Sequence, residues 1–338
     1  MVVVMACCGA RAQSTLEKVR AAGELRCGID VAEAEYSMSD DHGNREAFDG
    51  DLCRAVAAAV LGPSARVVIA RYPDDATSVH GLGSGEVEMV ATLTDDLSHE
   101  MAHAAGTGIR FTRPVLWDGV GFLVLGSKPA LRTRQLAGKP ICFLAESGVE
   151  ESVQAWFAHE HLHLAAYPFS EEGEMDAAFT TGNCGALAED RTRLAQTRER
   201  MAEHSRKTTL LPETISKDPL ASATREDDVQ WSAIVSWVME ALVQAEESGV
   251  TRANVEAMQK SGNFTNGEPV LRRLLGGSHE IGARLGLSDD WVVRVMETTG
   301  NYGEIYERDL GSKSAMKLPR GENNLRERGG LMVALPVK

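Results

Sequence analysis

Apolar and polar positions along the first third of the chain alternate in a way that predicts strands separated by helices. Ser14 and Glu17 have the spacing of a capping box, so a short helix is expected to begin there and to end near Gly23. Strands are predicted at residues 25–30, 66–70 and 87–92, and a helix rich in alanine and valine at residues 49–61. This alternation predicts a mainly parallel sheet flanked by helices.

A second run of the same kind occupies the middle of the chain. Its predicted strands are residues 121–125, 141–144, 165–169 and 185–188, its helices are residues 149–161, 173–180 and 190–204, and residues 221–224 extend again. Helical patterns then cover residues 229–248, 252–260, 270–275, 279–285 and 288–298. In the first of them, apolar residues recur at the i, i+3, i+4, i+7 spacing of a buried face: Ile234, Trp237, Val238, Ala241, Leu242 and Ala245. Two α/β units with a helical C-terminal extension are therefore expected.

Composition narrows the classes of function. The chain has 338 residues, of which 43% are hydrophobic, enough for two cores. Its net charge of −14 argues against binding to a nucleic-acid backbone. Neither a dinucleotide fingerprint nor a phosphate loop occurs, and no G-x-S-x-G follows a predicted strand, so the sequence indicates neither an enzyme nor a bound cofactor.

The N-terminal residues 1–13 have the character of a signal-peptide remnant. Residues 1–8 are apolar, and Ala10-Arg11-Ala12 has the small-x-small form of a signal-peptidase site. An alternative interpretation treats residues 4–7 as a lipobox, which would make Cys7 a lipid-anchored residue. Both interpretations predict an exported protein.

Four cysteines remain after residue 13, namely Cys27, Cys53, Cys142 and Cys184. An even number of cysteines in an exported chain favours disulfides over free thiols. The sequence alone allows three pairings.

Several segments resemble those of a known family. They are GNYGEIYERDLG at residues 300–311, ISKDPL at 215–220, SGEVE at 84–88 and GGLM at 329–332. They are similar to segments of the periplasmic solute-binding proteins for polar amino acids, the receptors of ABC importers, and most of all to general L-amino-acid binding proteins. The resemblance runs from about residue 14 to residue 338 and is densest after Leu211.

The resemblance implies a type II periplasmic binding protein: two α/β lobes joined by a hinge, with a helical C-terminal extension. Lobe 1 would comprise residues 14–117 and 219–338, and lobe 2 residues 118–218. The expected function is to capture an amino acid or related small amine between the lobes and to deliver it to the permease of an ABC importer. A monomer in the periplasm is expected. The resemblance also favours the disulfides Cys27–Cys53 in lobe 1 and Cys142–Cys184 in lobe 2.

The ligand contacts of the family carry over to this sequence in part. The implied positions are Tyr36 after the first strand, Thr92 and Thr94 after a later strand, Ser147 at a helix N-terminus, and Asp190, which would bind the ligand ammonium. Each has a structural alternative: Tyr36 as a core aromatic, the threonines as partners of the backbone, and Ser147 and Asp190 as ordinary helix caps.

The main departure is His99, which stands where the family has the arginine that clamps the ligand carboxylate. A neutral imidazole cannot make that bidentate contact, so we expect binding of a carboxylate through His99 to strengthen as the pH falls. The acidic residues near these positions either line the site and favour a cationic ligand, or only face the solvent. A receptor that has lost binding, or acts as a sensor, is the alternative function.

A competing motif lies at residues 159–163. His159, Glu160 and His163 satisfy H-E-x-x-H, the zinc pattern of metallohydrolases, which requires both histidines on one helix face. The helix is expected to end here, which would take His163 off that face. A solvated helix end is therefore preferred to a zinc site.

Overall fold

The structure is a computed structural model, and it describes residues 13–30, 38–39, 45–46, 48–104, 107–261, 269–277 and 280–336. The signal-peptide remnant with Cys7, and the proposed ligand residue Tyr36, lie outside the described residues.

The described chain alternates strands and helices. In chain order the strands are β1 (Glu24–Asp30), β2 (Met38–Ser39), β3 (Arg45–Glu46), β4 (Arg66–Tyr72), β5 (Met89–Thr94), β6 (His103–Ala104), β7 (Thr107–Asp118), β8 (Val120–Leu125), β9 (Pro140–Leu144), β10 (Ala165–Phe169), β11 (Ala186–Asp190), β12 (Thr208–Leu210) and β13 (Asp218–Arg225). The α-helices are α1 (Thr15–Ala22), α2 (Phe48–Leu61), α3 (Asp75–Ser84), α4 (Leu97–Glu100), α5 (Gly148–His159), α6 (Glu172–Thr181), α7 (Arg191–Glu203), α8 (Val229–Glu247), α9 (Val255–Ser261), α10 (Pro269–Leu274), α11 (Glu280–Leu285), α12 (Trp291–Thr299) and α13 (Tyr302–Asp309). Short 3-10 helices occur at Thr133–Leu136, Gly321–Asn323 and Arg326–Arg328.

Two larger sheets organise these strands, and β2 pairs with β3 in a separate ribbon. One sheet has the order β4-β1-β5-β13-β7-β6 and the other has the order β10-β9-β11-β8-β12. In each sheet three strands are parallel, β4-β1-β5 in the first and β10-β9-β11 in the second, and the others are antiparallel to their neighbours. The predicted parallel arrangement is confirmed for β1, β4 and β5, the strands from which it was predicted, whereas the sheet as a whole is mixed because β13, β7 and β6 are antiparallel. Since β7 leads out of the first sheet and β13 leads back into it, the two must run in opposite directions. The α/β fold with two lobes and a helical C-terminal extension is confirmed.

Local sequence explains where the elements begin and end. Ser14 and Glu17 form the predicted capping box, and Gly23 ends α1 in the left-handed conformation. The glycine-rich pattern gave no sign of α3, because glycine weakens helices. That helix is capped by Asp74, which accepts from the Thr77 amide at 2.8 Å. Its Gly81 is needed because a Cβ there would overlap the ring of Tyr72.

The predicted apolar face of α8 is buried in the core of lobe 1. Ile234, Val238, Ala241, Leu242 and Ala245 are buried and Trp237 is half-buried. Burying an aliphatic side chain stabilises by about 1.5–3 kcal/mol, so this face fixes α8 against the sheet. The C-terminal helices pack on the same core, which therefore also holds the extension in place.

Both disulfides that the resemblance implies are present in the structure. Cys27 on β1 is joined to Cys53 on α2, and Cys142 on β9 is joined to Cys184 just before β11. Each link lies within one lobe and ties a central strand to a neighbouring element. In the chain-entropy model, a disulfide that closes a loop of this length stabilises the folded state by about 3–4 kcal/mol.

Candidate functional site

The candidate site lies where the chain crosses between the two sheets. The first crossing, Gly119, joins β7 to β8, and the second, residues 211–217, joins β12 to β13. The two crossings lie side by side: the Val120 amide donates to the Ser216 hydroxyl at 2.8 Å, and the Ile215 amide donates to the Val120 carbonyl at 2.8 Å. Two adjacent connections of this kind are typical of a hinge.

Glycine is required in the first crossing. Gly119 has a φ of 146°, and a Cβ at that position would lie 2.6 Å from the carbonyl oxygen of Ser216. A side chain there would therefore push the two crossings apart. The close approach of the crossings depends on this residue.

Three aspartates from three strands meet at this point. Asp118 ends β7, Asp190 ends β11 and Asp218 begins β13. Asp118 and Asp218 are paired across β7 and β13, and Asp190 is paired with Val120 across β11 and β8. The three residues thus lie at strand ends beside the crossings between the two sheets. In open α/β sheets, ligands bind beyond the carboxyl ends of the strands.

Asp118 caps the helix that follows Asp190. Its carboxylate accepts from the Arg191 amide at 3.1 Å and from both the amide and the hydroxyl of Thr192, the amide at 3.3 Å. Asp190 occupies the cap position of α7 by sequence, but its side chain makes no cap hydrogen bond. The carboxylate of Asp190 is therefore relieved of the capping role that its position predicts.

Burial and like charges disfavour the ionised forms of these groups. Burial raises the pKa of Asp190 well above its usual range, and Asp118, Asp218 and Glu189 raise it further, while Arg193 opposes the shift. Burial, with Asp118, raises the pKa of Asp218 to about 6. Burial also raises the pKa of Asp118, although the α7 amides and Thr192 oppose the shift. A cation placed among these carboxyl groups would stabilise their charged forms.

The two threonines of β5 have different surroundings. Thr94 is hydrogen-bonded to the carboxylate of Asp218, which brings it to the aspartate group. Thr92 is buried, and its hydroxyl donates to Asp49 at 2.9 Å, at the start of α2. The structure therefore brings Thr94 to the hinge and directs Thr92 into lobe 1.

His99 lies between carboxylates. Its Nδ1 is 3.0 Å from Asp96 and its Nε2 is 3.5 Å from Asp75, and its side chain is 21% exposed. Asp96 also accepts from the backbone amide of His99 at 2.8 Å, which caps α4. Asp75 and Asp96 both act on the charge of Asp218, so His99 belongs to the acidic surroundings of the hinge. Both imidazole nitrogens are engaged within lobe 1.

Ser147 is the cap of α5, as its structural alternative predicts. Its hydroxyl donates to the Leu144 carbonyl at 2.7 Å and accepts from the Glu150 amide at 3.3 Å. These contacts are local and do not tie Ser147 to the hinge aspartates. The start of α5 still follows the carboxyl end of β9, where a helix N-terminus attracts anions.

The H-E-x-x-H segment is split by the end of α5. The helix ends at His159, Glu160 is paired with Arg134, and His161 has a φ of 55°. Residues up to 163 therefore leave the helix axis, and the two histidines do not share a helix face. Within the described ranges, no cluster of three His, Cys, Asp or Glu side chains has the arrangement of a metal site.

Two residues of the site were missed from the sequence. Asp218 was known only as part of the segment ISKDPL and as the last residue of lobe 2, and Asp118 only as the first residue of lobe 2. An Asp-Gly pair before a strand was the one available signal for Asp118. Its partner, Thr192, lies 74 residues further along the chain, a distance over which the pattern of one sequence has no information.

Comparison with known proteins gives consistent results. No protein-family model matches the chain. The chain is 35% identical over 336 residues to the general L-amino acid-binding periplasmic protein AapJ of Rhizobium johnstonii, covering 97% of this chain and 94% of that protein. It is 33% identical over 333 residues to the glutamate/glutamine/aspartate/asparagine-binding protein BztA of Rhodobacter capsulatus, covering 98% and 95%.

Solved structures agree with these relatives. A periplasmic binding protein from Brucella ovis with glutathione bound is 35% identical, with a TM-score of 0.81, over 97% of this chain and 100% of that one. An ancestral cationic amino acid solute-binding protein, at 19% identity and a TM-score of 0.53 over 70% and 95%, shares the fold. The identities and their coverage show that the chain belongs to the family of periplasmic solute-binding proteins of amino-acid ABC transporters.

Proposed function

We propose that the protein binds an amino acid or a related small amine in the cleft between its lobes, as a monomer in the periplasm, and delivers it to the permease of an ABC importer. The names of the relatives support this assignment, since they bind L-amino acids or work with amino-acid ABC transporters. All of these names describe binding proteins rather than enzymes. We further propose residues 1–13 as a removed signal peptide.

The division into lobes follows the sheets. We assign residues 14–117 and 219–338 to lobe 1 and residues 118–218 to lobe 2. This assignment is supported by the sheets, since one contains β1, β4 to β7 and β13 and the other contains β8 to β12. The cleft then opens at the hinge aspartates.

The carboxylate of Asp190 is the observation that carries the proposal. It ends a strand at the base of the cleft, it does not cap α7, and its ionised form is disfavoured by burial and by neighbouring acids. A ligand ammonium there would relieve this repulsion and make charge-assisted hydrogen bonds. Thr94, held by Asp218, lies next to the same group and offers a hydroxyl.

The carboxylate end of the ligand is held less strongly than in a site with an arginine clamp. We assign it to the N-terminus of α5 beside Ser147, with Tyr36 contributing from lobe 1. Because Asp75 and Asp96 flank His99, a ligand carboxylate near that imidazole would also meet two anions. Amines and cationic amino acids are therefore favoured over acidic amino acids.

A thermal-shift screen tests the proposal. Lysine, arginine, putrescine, glutamate and glycine betaine would be added separately to the purified protein. A ligand present at 100 times its Kd stabilises by about 2.7 kcal/mol, which raises the Tm by a few degrees. Primary amines should raise the Tm, whereas betaine, which has a cationic nitrogen without N–H donors, should do so less.

A receptor that has lost amino-acid binding is the second candidate. The engagement of both imidazole nitrogens of His99 favours it, because no clamp is then available at that position. If the five compounds and a mixture of the common amino acids all leave the Tm unchanged, the binding assignment is wrong and this candidate stands.

A further inference from the structure

The C-terminal extension continues past α13 as a segment that touches lobe 1, the hinge and lobe 2. We call residues 311–325 the strap. It begins after α13, includes the 3-10 helix Gly321–Asn323, and runs beside both crossings. Its contacts differ in kind along its length.

Lobe 1 holds the strap through Arg320. The guanidinium pairs with both carboxylate oxygens of Glu246 on α8, at 2.9 and 3.0 Å. It also lies 5.2 Å from the ring centroids of Tyr302 and Tyr306. Both partners of the ion pair are largely buried, at 11% and 7% exposure. A bidentate pair sheltered by aromatic rings holds its geometry, so this part of the strap moves with lobe 1.

The hinge holds the strap through Asn323. Its side-chain oxygen accepts from the Trp117 amide at 2.6 Å, and its side-chain nitrogen donates to the Trp117 carbonyl at 2.8 Å. Trp117 is the second-to-last residue of β7, and only Asp118 separates it from the first crossing. Pro219 of β13 is opposite Trp117 and has no amide hydrogen to offer. Asn323 thus satisfies the backbone of the hinge strand in place of a neighbouring strand.

Lobe 2 reaches the strap through Arg198 of α7. The guanidinium donates to the Met316 carbonyl and, at 3.2 Å, to the Lys317 carbonyl. Lys317 has a φ of 46°, a left-handed conformation that is uncommon for a residue with a side chain. Burial lowers the pKa of Arg198, because its charged form is partly removed from water. The strap therefore offers two carbonyl oxygens to a half-buried cation of the other lobe.

Space remains between the strap and the crossings. A cavity of about 350 Å³ lies between the end of β7, the second crossing, α7, α13 and the strap, with Trp117, Arg191, Pro212, Thr214 and Tyr306 among the residues that line it. A packed interior would resist rotation at this point, whereas an open volume allows α7 to move relative to the strap.

We propose that the strap is a third connection between the lobes and that the contact of Arg198 with Met316 and Lys317 restrains their rotation about the hinge. When the lobes rotate, α7 moves with lobe 2 while Arg320 keeps the strap on lobe 1. The hydrogen bonds of Arg198 must then stretch or break. The conformation that keeps them is favoured over the others, which sets the population of open and closed forms before any ligand binds.

The test measures the distance between the lobes in the ligand-free protein. A ketone-bearing amino acid would replace His80 on α3 and Ala155 on α5, which are both exposed. A spin label would then be attached to each ketone, so that labelling needs no cysteine and leaves the disulfides intact. Pulsed electron resonance then gives the distribution of distances in the parent protein and in the variants Arg198→Ala, Arg198→Gln and Arg200→Ala. Arg200 is the matched control, because it lies on the same helix and pairs within lobe 2 with Asp176 at 3.1 Å.

We expect Arg198→Ala to broaden the distribution or shift its mean, Arg198→Gln to do so less, and Arg200→Ala to leave it as in the parent. Unfolding curves for each variant verify that the fold is kept. An unchanged distribution in Arg198→Ala would overturn the proposal. Equal broadening in Arg198→Ala and Arg200→Ala would also overturn it, since a general weakening of α7 would then be the cause. The measurement requires no ligand and is independent of the proposed function.

Discussion

Replacing Asp190 by asparagine isolates the charge that we assign to the ligand ammonium. Asparagine has nearly the same size, and α7 keeps its cap because Asp118 provides it. A hydrogen bond to a charged group contributes about 1.5–3 kcal/mol, so Asp190→Asn should weaken the binding of an amine ligand by roughly ten- to a hundredfold. The stability of the ligand-free protein should stay equal or increase, because burial and three neighbouring acids disfavour the ionised Asp190.

The assay is calorimetric titration with the strongest amine found by the thermal-shift screen. Asp176→Asn serves as the control, because Asp176 is also a carboxylate of lobe 2 whose pKa is raised by burial. It lies on α6 and pairs with Arg200 rather than facing the hinge. The control should bind the ligand with the affinity of the parent.

Two results would refute this reasoning. If Asp190→Asn binds as tightly as the parent, the ammonium is held elsewhere. If the free energy of unfolding of Asp190→Asn is lower than that of the parent by more than about 1 kcal/mol, the carboxylate stabilises the fold. That result would be unexpected, because the side chain of Asp190 makes no cap hydrogen bond. Equal losses of affinity in Asp190→Asn and Asp176→Asn would indicate a general electrostatic effect of lobe 2 instead of a contact.

Three further predictions concern the pH, the buried core and the metal. Amine affinity should fall as the pH drops through about 6, because protonation of Asp218 removes negative charge from the site; titrations at pH 5 and 8 that agree would contradict this. Asp309, hydrogen-bonded to Asp51, has a pKa raised from 3.8 to about 9, so the folded state keeps a proton that the unfolded state loses between these values. The free energy of unfolding should therefore decrease as the pH rises through this window, by up to about 1.4 kcal/mol per pH unit. Urea unfolding at pH 5, 7 and 8.5 measures this slope, and Asp309→Asn should abolish it. Equal slopes in the parent and in Asp309→Asn would exclude Asp309 as the cause. Finally, a chelator should leave the Tm unchanged, and His159→Ala should have the Tm of the parent. If the parent instead contains stoichiometric zinc that is lost in His159→Ala, our interpretation of residues 159–163 is wrong.

The fold was predictable where the spacing of apolar residues agrees with the residues that begin and end helices. The capping box at Ser14, the helix stop at Gly23 and the apolar face of α8 are local features, and each is present in the structure. The direction of the strands was not predictable in the same way. Antiparallel β13 has the same apolar pattern as a parallel strand buried on both faces, because the pattern reports burial and not the neighbour.

The site was predictable only for residues that a family resemblance could place. Thr94 and Asp190 were expected at the cleft, and the structure puts them near Asp218. Thr92 was expected beside Thr94, yet its hydroxyl is directed to Asp49 on α2, a partner 43 residues away. His99 shows the same limit: its position marked the absence of an arginine, while its partner Asp75 lies on the helix that the glycine-rich pattern concealed. Partners supplied by distant elements decide what each side chain can do.

The capping of α7 illustrates how the fold supplies a binding group. An aspartate directly before a helix ordinarily bonds the first amides of that helix, which stabilises it by about 1 kcal/mol. Here Asp118 reaches those amides from the end of β7, directly before Gly119, where the chain passes at once into β8. The side chain of Asp190 consequently makes no cap hydrogen bond with α7, which leaves its carboxylate available for the ligand ammonium that we propose. The same arrangement places a buried anion next to another anion, which lowers the stability of the empty site and raises the advantage of binding a cation there. Since Asp118 directly precedes the first crossing, a rotation of the lobes that disturbed its contacts with Thr192 would also alter the surroundings of Asp190. We therefore expect the charge of the ligand and the angle of the hinge to be linked through the carboxylate of Asp118.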